Sequence, residues 1–472
     1  MKRLRDYRTW RTAIAIIGAG IITLLPFEHA GASSLSTTTL DTKGQSAVGA
    51  NNDIHKSQAR TLSDDGRTSV FSSQATNLVA GPHNGMEQVY AYDRITKKTE
   101  LVSRNAEGGP GSGDSYKPTI SADGRYVVYA STARDVAPGL NDFCRGWDGP
   151  CTNIILHDLI TKYTRVVNVD SRNRRLPAID TGVGGEAPIV TRDGRYVTFL
   201  SYYPFNSASK EGYRLIIRNL EEQSTRVVEL TNADDQVSNS GFWNATINDT
   251  GRFIAFSTDE RLASNDYNGQ TDVYLYDTQD NQVILVSSGL MGFGASNSFR
   301  PVISTDGNFI VYESTAQNLT PDDHNQKADI FLYDRQKVTT TLVSHSTRGV
   351  PALGDSFAAD INGDGQYVAY ASYASNLVRP GTTNINVFLY YTHFGVTRLI
   401  SRASHNGVPG DDQSLAPSIS QNGKAITFLS KAHNLSTDAL PQNTQFSNLF
   451  RAFDVARQIP YYDQADLLDL LP

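Results

Sequence analysis

Cysteine, methionine and tryptophan are scarce in this 472-residue chain, which holds two, three and three of them. Two cysteines cannot supply a four-ligand zinc site, and no histidine cluster completes one. Of the nine histidines, His83, His324, His393, His405 and His433 fall in or near loops at no metal-ligand spacing. The Gly-x-Ser-x-Gly elbow of the α/β-hydrolases is missing, which excludes a propeller-plus-peptidase chain. No glycine-rich loop lies between a strand and a helix, so a phosphate cradle is unsupported. No window keeps a helical period. Beyond residues 12–27, TAIAIIGAGIITLLPF, no stretch is long and apolar enough to span a bilayer. Basic runs are absent after the first eleven residues, which argues against nucleic acid as a partner.

The first 32 residues read as an export signal. Lys2, Arg3, Arg5, Arg8 and Arg11 precede the apolar run, and Ala30-Gly31-Ala32 has the small-x-small form of a cleavage site. The next residue is Ser33 and not Cys, so a lipid anchor is not indicated. Cleavage after Ala32 takes five Lys/Arg and two Asp/Glu, leaving 37 basic and 47 acidic residues and a net charge of −10. The expected location is periplasmic or extracellular, with no stable membrane anchor. In that oxidising setting Cys144 and Cys151, in CRGWDGPC, are expected to form a disulfide.

What the chain has in quantity is tyrosine (23), phenylalanine (19) and glycine (37), the composition of strands joined by turns. One phrase recurs: SADGRYVVYAS from Ser121, TRDGRYVTFLS from Thr191, STDGNFIVYES from Ser304, NGDGQYVAYAS from Asn362. Its glycine falls at Gly66, Gly124, Gly194, Gly251, Gly307, Gly365 and Gly423, at spacings of 58, 70, 57, 56, 58 and 58. A fixed period of this length means a repeat architecture. Each copy has four short apolar pieces, such as RPVIS, NFIVYES, IFLYD and TTLVS in copy five. The Asp-Gly or Asn-Gly between pieces one and two supplies the positive φ of a tight hairpin. Four strands per copy in a closed series describe an all-β fold, a seven-bladed β-propeller of four-stranded antiparallel blades filling residues 33–472.

The phrase S-x-D-G-R-Y-V-x-Y-x-S, followed by Asn-Leu, an Asp/Asn-rich loop and D-[IV]-[FY]-L-Y-D, resembles the TolB-like, WD-repeat-like propeller repeats of exported bacterial proteins. The resemblance covers residues 37–455 and implies the fold and export; the separate N-terminal domain of TolB has no counterpart here. Copy seven lacks a good fourth piece after Asp454, while STTTLDTKGQ from Ser36 resembles TTTLVSHSTRG from Thr339. Thr37 to Leu40 is therefore expected beside the strand near Phe450, closing the ring.

Strand alternation puts all the Asp-Gly turns at one end and the longer, variable loops at the other. The loop-rich end is the expected partner surface. Asp114, Asp355, Asp411 and Asp412, in loops that enter the innermost strands, are the candidate binding residues, and their charge would favour a cation or a basic partner. Asp266 and Asp272 with Asn268, and Asp323 and Asp329 with Asn325, have alternating spacing that could converge on Ca²⁺. The competing reading is that each Asp serves its own turn. No cofactor is required on this reading. DINGDG at Asp360 resembles the start of an EF-hand, but the twelfth position is Ala371 where Glu is needed. SDDGRTSVF at Ser63 resembles a sialidase Asp-box without its residue between Asp and Gly. The function expected is a monomeric, exported, non-catalytic propeller that recognises a protein, peptide or glycan. The alternatives are a glycan lyase or hydrolase with its site at the channel mouth, and a structural envelope component.

Overall fold

The computed structural model describes residues 35–37, 54–55, 60–140, 152–174, 176, 188–203, 212–233, 243–290, 296–379, 381–403, 406–435 and 448–453. The export segment, Cys144 and Cys151 lie outside them. Among the described residues no helix is long and apolar enough to cross a membrane.

Seven four-stranded antiparallel sheets follow one another along the chain. Blade 2 is typical: Ser115–Ile120, Tyr126–Ser131, Asn153–Asp158 and Thr164–Val166, paired in chain order. Blades 1 and 3 to 6 repeat this order, with first strands Ile54–His55, Ile189–Val190, Trp243–Ile247, Ser298–Ile303 and Ser356–Ile361. Blade 7 takes Ser414–Ile419, Ala425–Ser430 and Asn448–Phe453 from one end of the chain and Leu35–Thr37 from the other. Leu35, Ser36 and Thr37 face Ala452, Arg451 and Phe450. The closing strand thus starts two residues before the expected one and lies beside the expected partner, but in another register: Thr37 stands opposite Phe450, where alignment with Leu342 opposite Phe331 in blade 5 would put Leu40. The outer edge of blade 7 is paired and the ring has no open start.

The core lies between successive blades. Val302, Val311 and Ile330 of blade 5 pack on Ile361, Tyr370 and Phe388 of blade 6. Phe71 and Tyr90 of blade 1 pack on Leu429 and Leu449 of blade 7, so the last interface is as apolar as the others. Second and third strands stack aromatic rings across the sheet: Phe71–Tyr90, Phe256–Tyr274, Tyr312–Phe331, Tyr370–Phe388 and Phe428–Phe450, at centroid distances of 5.7 to 6.0 Å. Such pairs add about 0.5–1.5 kcal/mol to their area burial.

The recurring phrase is one hydrogen-bonded unit. Ser121 Oγ donates to Asp123 Oδ1 at 2.5 Å and accepts the Tyr126 N–H at 2.9 Å, and Asp123 accepts the Arg125 N–H at 3.0 Å. The turn glycine is the one residue of this unit at positive φ, +72° at Gly124 and +73° at Gly365. It also has no room for a side chain. A Cβ on Gly365 would stand 2.2 Å from the Phe309 ring of the preceding blade. The Arg after the glycine reaches the Asp that ends the third strand, Arg125–Asp158 at 2.8 Å and Arg252–Asp277 at 2.6 Å. That Asp caps the next turn, as Asp158 does on the Ile160 and Thr161 N–H groups.

Candidate functional site

The inner edges of the seven first strands line the channel, and its two ends differ. At the turn end, the residue two before the turn glycine in each blade reaches the next blade. Asp64 N–H donates to Ala122 O at 2.8 Å, Ala122 N–H to Arg192 O at 2.9 Å, and Arg192 N–H to Asp249 Oδ1 at 3.0 Å. Asp249 N–H then donates to Thr305 O at 3.3 Å, Thr305 N–H to Gly363 O at 3.1 Å, and Gly363 N–H to Gln421 O at 2.9 Å. The Gln421 N–H faces the Asp64 carboxylate, which also pairs with Arg192. The result is a ring stitched from blade to blade.

Just inside this ring sits Arg60, which is buried. From blade 1 its guanidinium donates to Val190 O of blade 3 at 3.1 Å and to Ile247 O of blade 4 at 2.6 Å, with Asp249 at 4.0 Å. Burial pushes its pKa down, and Asp249 and Asp360 oppose that. Asp360, from the rejected EF-hand segment, accepts the Ile361 and Ile419 N–H groups and the Ser418 hydroxyl, tying blade 6 to blade 7. Burial raises Asp249 and Asp64 above the usual carboxylate range. These groups form a polar, hydrogen-bonded plug at the turn end.

The loop end is open. In five blades the first strand carries a bulge, marked by a register shift between Tyr116 and Thr119, Trp243 and Thr246, Phe299 and Val302, Phe357 and Asp360, and Leu415 and Ser418. The second residue of each bulge has positive φ without being glycine: Lys117 +52°, Asn244 +53°, Arg300 +53°, Ala358 +54° and Ala416 +50°. Such strain is found where a strand end has to re-aim side chains. In these strands the bulge pairs are partly or fully exposed, while the residues that follow them to the strand end are buried. Solvent therefore meets the first strands at Tyr116 and Lys117, Trp243 and Asn244, Phe299 and Arg300, Phe357 and Ala358, and Leu415 and Ala416. Trp243 is 41% exposed. Arg300 pairs at 3.4 Å with Glu313, which is buried and accepts the Ala358 N–H at 2.7 Å; burial raises its pKa. None of these mouth residues was a candidate from the sequence. The readable signal was the Ser-aromatic-Lys/Arg-Pro shared by the first strands of blades 2 and 5, SYKP and SFRP.

The predicted binding residues lie at this same end, each in a backbone role. Asp114 Oδ1 accepts the Glu87 N–H at 2.8 Å, and Asp355 Oδ1 the Ala328 N–H at 3.1 Å. Asp411 Oδ1 accepts the His433 N–H at 2.7 Å, and Asp412 Oδ1 the Gln413 N–H at 2.7 Å. The first two tie a four-to-one loop to the end of the preceding blade's two-to-three loop.

The predicted metal ligands are buried and engaged locally. Asp266 accepts the Tyr274 hydroxyl. Asp272 accepts the Ser287 hydroxyl at 2.5 Å and the Asn268 amide at 2.7 Å. Asp329 accepts the Ser344 hydroxyl at 2.5 Å and the Asn325 amide at 2.6 Å, and Asp323 accepts the Asn325 N–H at 3.4 Å. Burial pushes Asp272 up to about 6 and Asp329 up to about 7. Gln88 and Asn386 occupy the equivalent position in blades 1 and 6 and accept the Ser103 and Ser401 hydroxyls at 2.7 and 2.8 Å. A neutral amide therefore does there what the two Asp do here. Among the described residues no three His, Cys, Asp or Glu side chains are grouped to hold a metal ion.

No protein-family model matches the chain, and no curated protein matches it in sequence. Solved structures match it in fold. Oligogalacturonate lyase from Vibrio parahaemolyticus is 13% identical over 89% of this chain and 97% of its own, with a TM-score of 0.51. An oligogalacturonate lyase in complex with manganese is 14% identical over 90% of this chain and 98% of its own, also at 0.51. A TolB-like protein from Agrobacterium tumefaciens is 18% identical over 64% of this chain and 91% of its own, with a TM-score of 0.38. At such identities the likeness is one of fold, the seven-bladed propeller already described.

Proposed function

We propose that this chain is an exported binding protein that receives a glycan or peptide at the loop-side mouth of its channel. The observation that carries this reading is the ring of bulged first strands, where aromatic residues alternate with Lys117, Asn244 and Arg300 at the one solvent-reached level of those strands. Aromatic faces stack on sugar C–H faces or apolar side chains, and the flanking polar groups fix orientation. Asp114, Asp355, Asp411 and Asp412 surround it as supports of the loops, and Ca²⁺ or a basic group is the cationic partner they would take. The test is glycan and peptide array binding by the secreted protein, followed by the paired change Trp243→Ala and Phe299→Ala. Affinity for the captured compound should fall about tenfold or more with folding retained. Unchanged affinity removes the mouth from the site.

A second reading, a propeller enzyme acting on a glycan, is favoured by one observation. Glu313 is a buried carboxyl with a raised pKa beside an arginine at the mouth. The fold shared with two oligogalacturonate lyases is compatible with it. Turnover of acidic oligosaccharides that is lost in Glu313→Gln would establish this reading over the first.

A further inference from the structure

Outside the channel, a cleft of about 360 Å³ opens between blades 2 and 3. Its floor is apolar, with Val167, Val169 and Leu220, and its polar lining is Arg165, Arg218, Asn173 and Gln223. Arg218 is 5% exposed. All of its hydrogen bonds go to neutral acceptors: the carbonyls of Asp170 and Gln223 at 3.2 and 2.6 Å, the Thr225 hydroxyl at 2.9 Å and Asn173 Oδ1 at 3.1 Å. The carboxylate of Asp170 is turned to Arg174 at 2.8 Å and to the Arg172 and Arg174 N–H groups. Arg165 has no hydrogen-bond or ion-pair partner among the described residues. Burial and then the charge of Arg165 push the Arg218 pKa down, with the Asp170 charge opposing them only in part, so the two guanidiniums feel one another. Two like charges at a partly desolvated cleft are unfavourable unless an anion joins them, and arginine is the side chain that grips planar or tetrahedral oxyanions.

We propose that this cleft binds a small organic oxyanion, its carboxylate, sulfate or phosphate group held by Arg165 and Arg218 and its body laid on Val167, Val169 and Leu220. The cleft volume falls in the range of small-molecule sites and exceeds what a bare inorganic ion fills. The site is separate from the channel mouth and does not depend on what the mouth binds.

The experiment is calorimetric titration of the folded protein at constant ionic strength with phenyl phosphate, phenyl sulfate, benzoate, inorganic phosphate and benzyl alcohol. At least one aromatic anion should bind saturably and more tightly than inorganic phosphate, and benzyl alcohol should not bind. Comparing the three aromatic anions assigns the head group. Arg165→Gln, a partly exposed change that leaves the Arg218 bonds intact, should weaken binding about 10- to 100-fold without shifting the melting temperature. Arg218→Lys should weaken it too; if that variant does not fold, Arg165→Gln decides alone. Equal affinity in Arg165→Gln, equal binding of benzyl alcohol, or no saturable binding of any anion overturns the proposal.

Discussion

The two ends of the channel are built from one repeat, yet they join the blades by different means. At the turn end the joining groups are mostly backbone amides and carbonyls, running from Asp64 through Ala122, Arg192, Asp249, Thr305 and Gly363 to Gln421. At the loop end the joins include side-chain caps, Asp114 on the Glu87 N–H and Asp355 on the Ala328 N–H. The first kind of join places no demand on side-chain type, and the seven positions hold six different residues. The second demands a short acceptor. Regularity in the sequence therefore does not track regularity in the structure: the most uniform feature of the ring sits at one of its least uniform positions. The bulged strand starts at the other end also vary in residue, even where one joins two blades through the Ala358 N–H and Glu313, and varied exposed positions on a fixed scaffold are the condition for a binding surface.

The comparison can be broken most forcefully at the plug. Arg60→Met takes the guanidinium from the Val190 and Ile247 carbonyls and leaves the Asp249 carboxylate only its Arg192 contacts. It should cost about 3–5 kcal/mol in chemical denaturation, whereas Lys117→Ala at the mouth should cost under about 1 kcal/mol. Similar losses at the two sites would mean that the turn end is not the structural one. Glycine gives the next contrast. Gly365→Ala meets both a positive φ and the Phe309 ring, and about 2–4 kcal/mol should be lost. Gly349→Ala, in a loop-end turn at φ +74° with no atom within 4 Å of the new Cβ, should lose only about 1 kcal/mol.

Acid titration sharpens the contrast at the loop end. The folded chain holds a proton on Asp272 and Asp329 more tightly than the unfolded chain does, since burial lifts them to about 6 and about 7. Their contribution to stability is thus fully present below the unfolded value near 4 and is lost as pH rises to about 7. In the double change Asp272→Asn and Asp329→Asn this slope should vanish. The stability of the variant relative to the native chain should then rise by up to about 5 kcal/mol between pH 4.5 and 8, read from melting curves. A constant difference across that range would show both groups ionised in the fold. The smallest effect expected is at Val338, a β-branched residue at φ +54° where blade 4 has Asn281 and blade 6 has Gly395. Val338→Asn should stabilise the fold by about 0.5–1 kcal/mol, and a loss of stability would mean that Val338 packs on something its 72% exposure does not show.

The residues themselves determined the ring. A glycine every 56 to 58 residues, with one interval of 70, and four apolar pieces around each, dictate seven blades, because short-range hydrogen bonding and period-two burial are written locally. The partner of the closing strand was legible as well, since Ser36 to Leu40 resembles the fourth piece missing after Asp454, but its register was not. The acidic loop residues could be placed at the correct end but not given their partners, because an Asp that caps a backbone N–H and an Asp that faces solvent have the same neighbours in sequence. Tertiary structure alone decided that Arg60 crosses to blades 3 and 4, that Asp360 ties blade 6 to blade 7, and that Arg165 and Arg218 share a cleft between blades 2 and 3. These are contacts between residues 53 to 187 positions apart, set by how the blades pack around the axis, and no local pattern of residues encodes that angle.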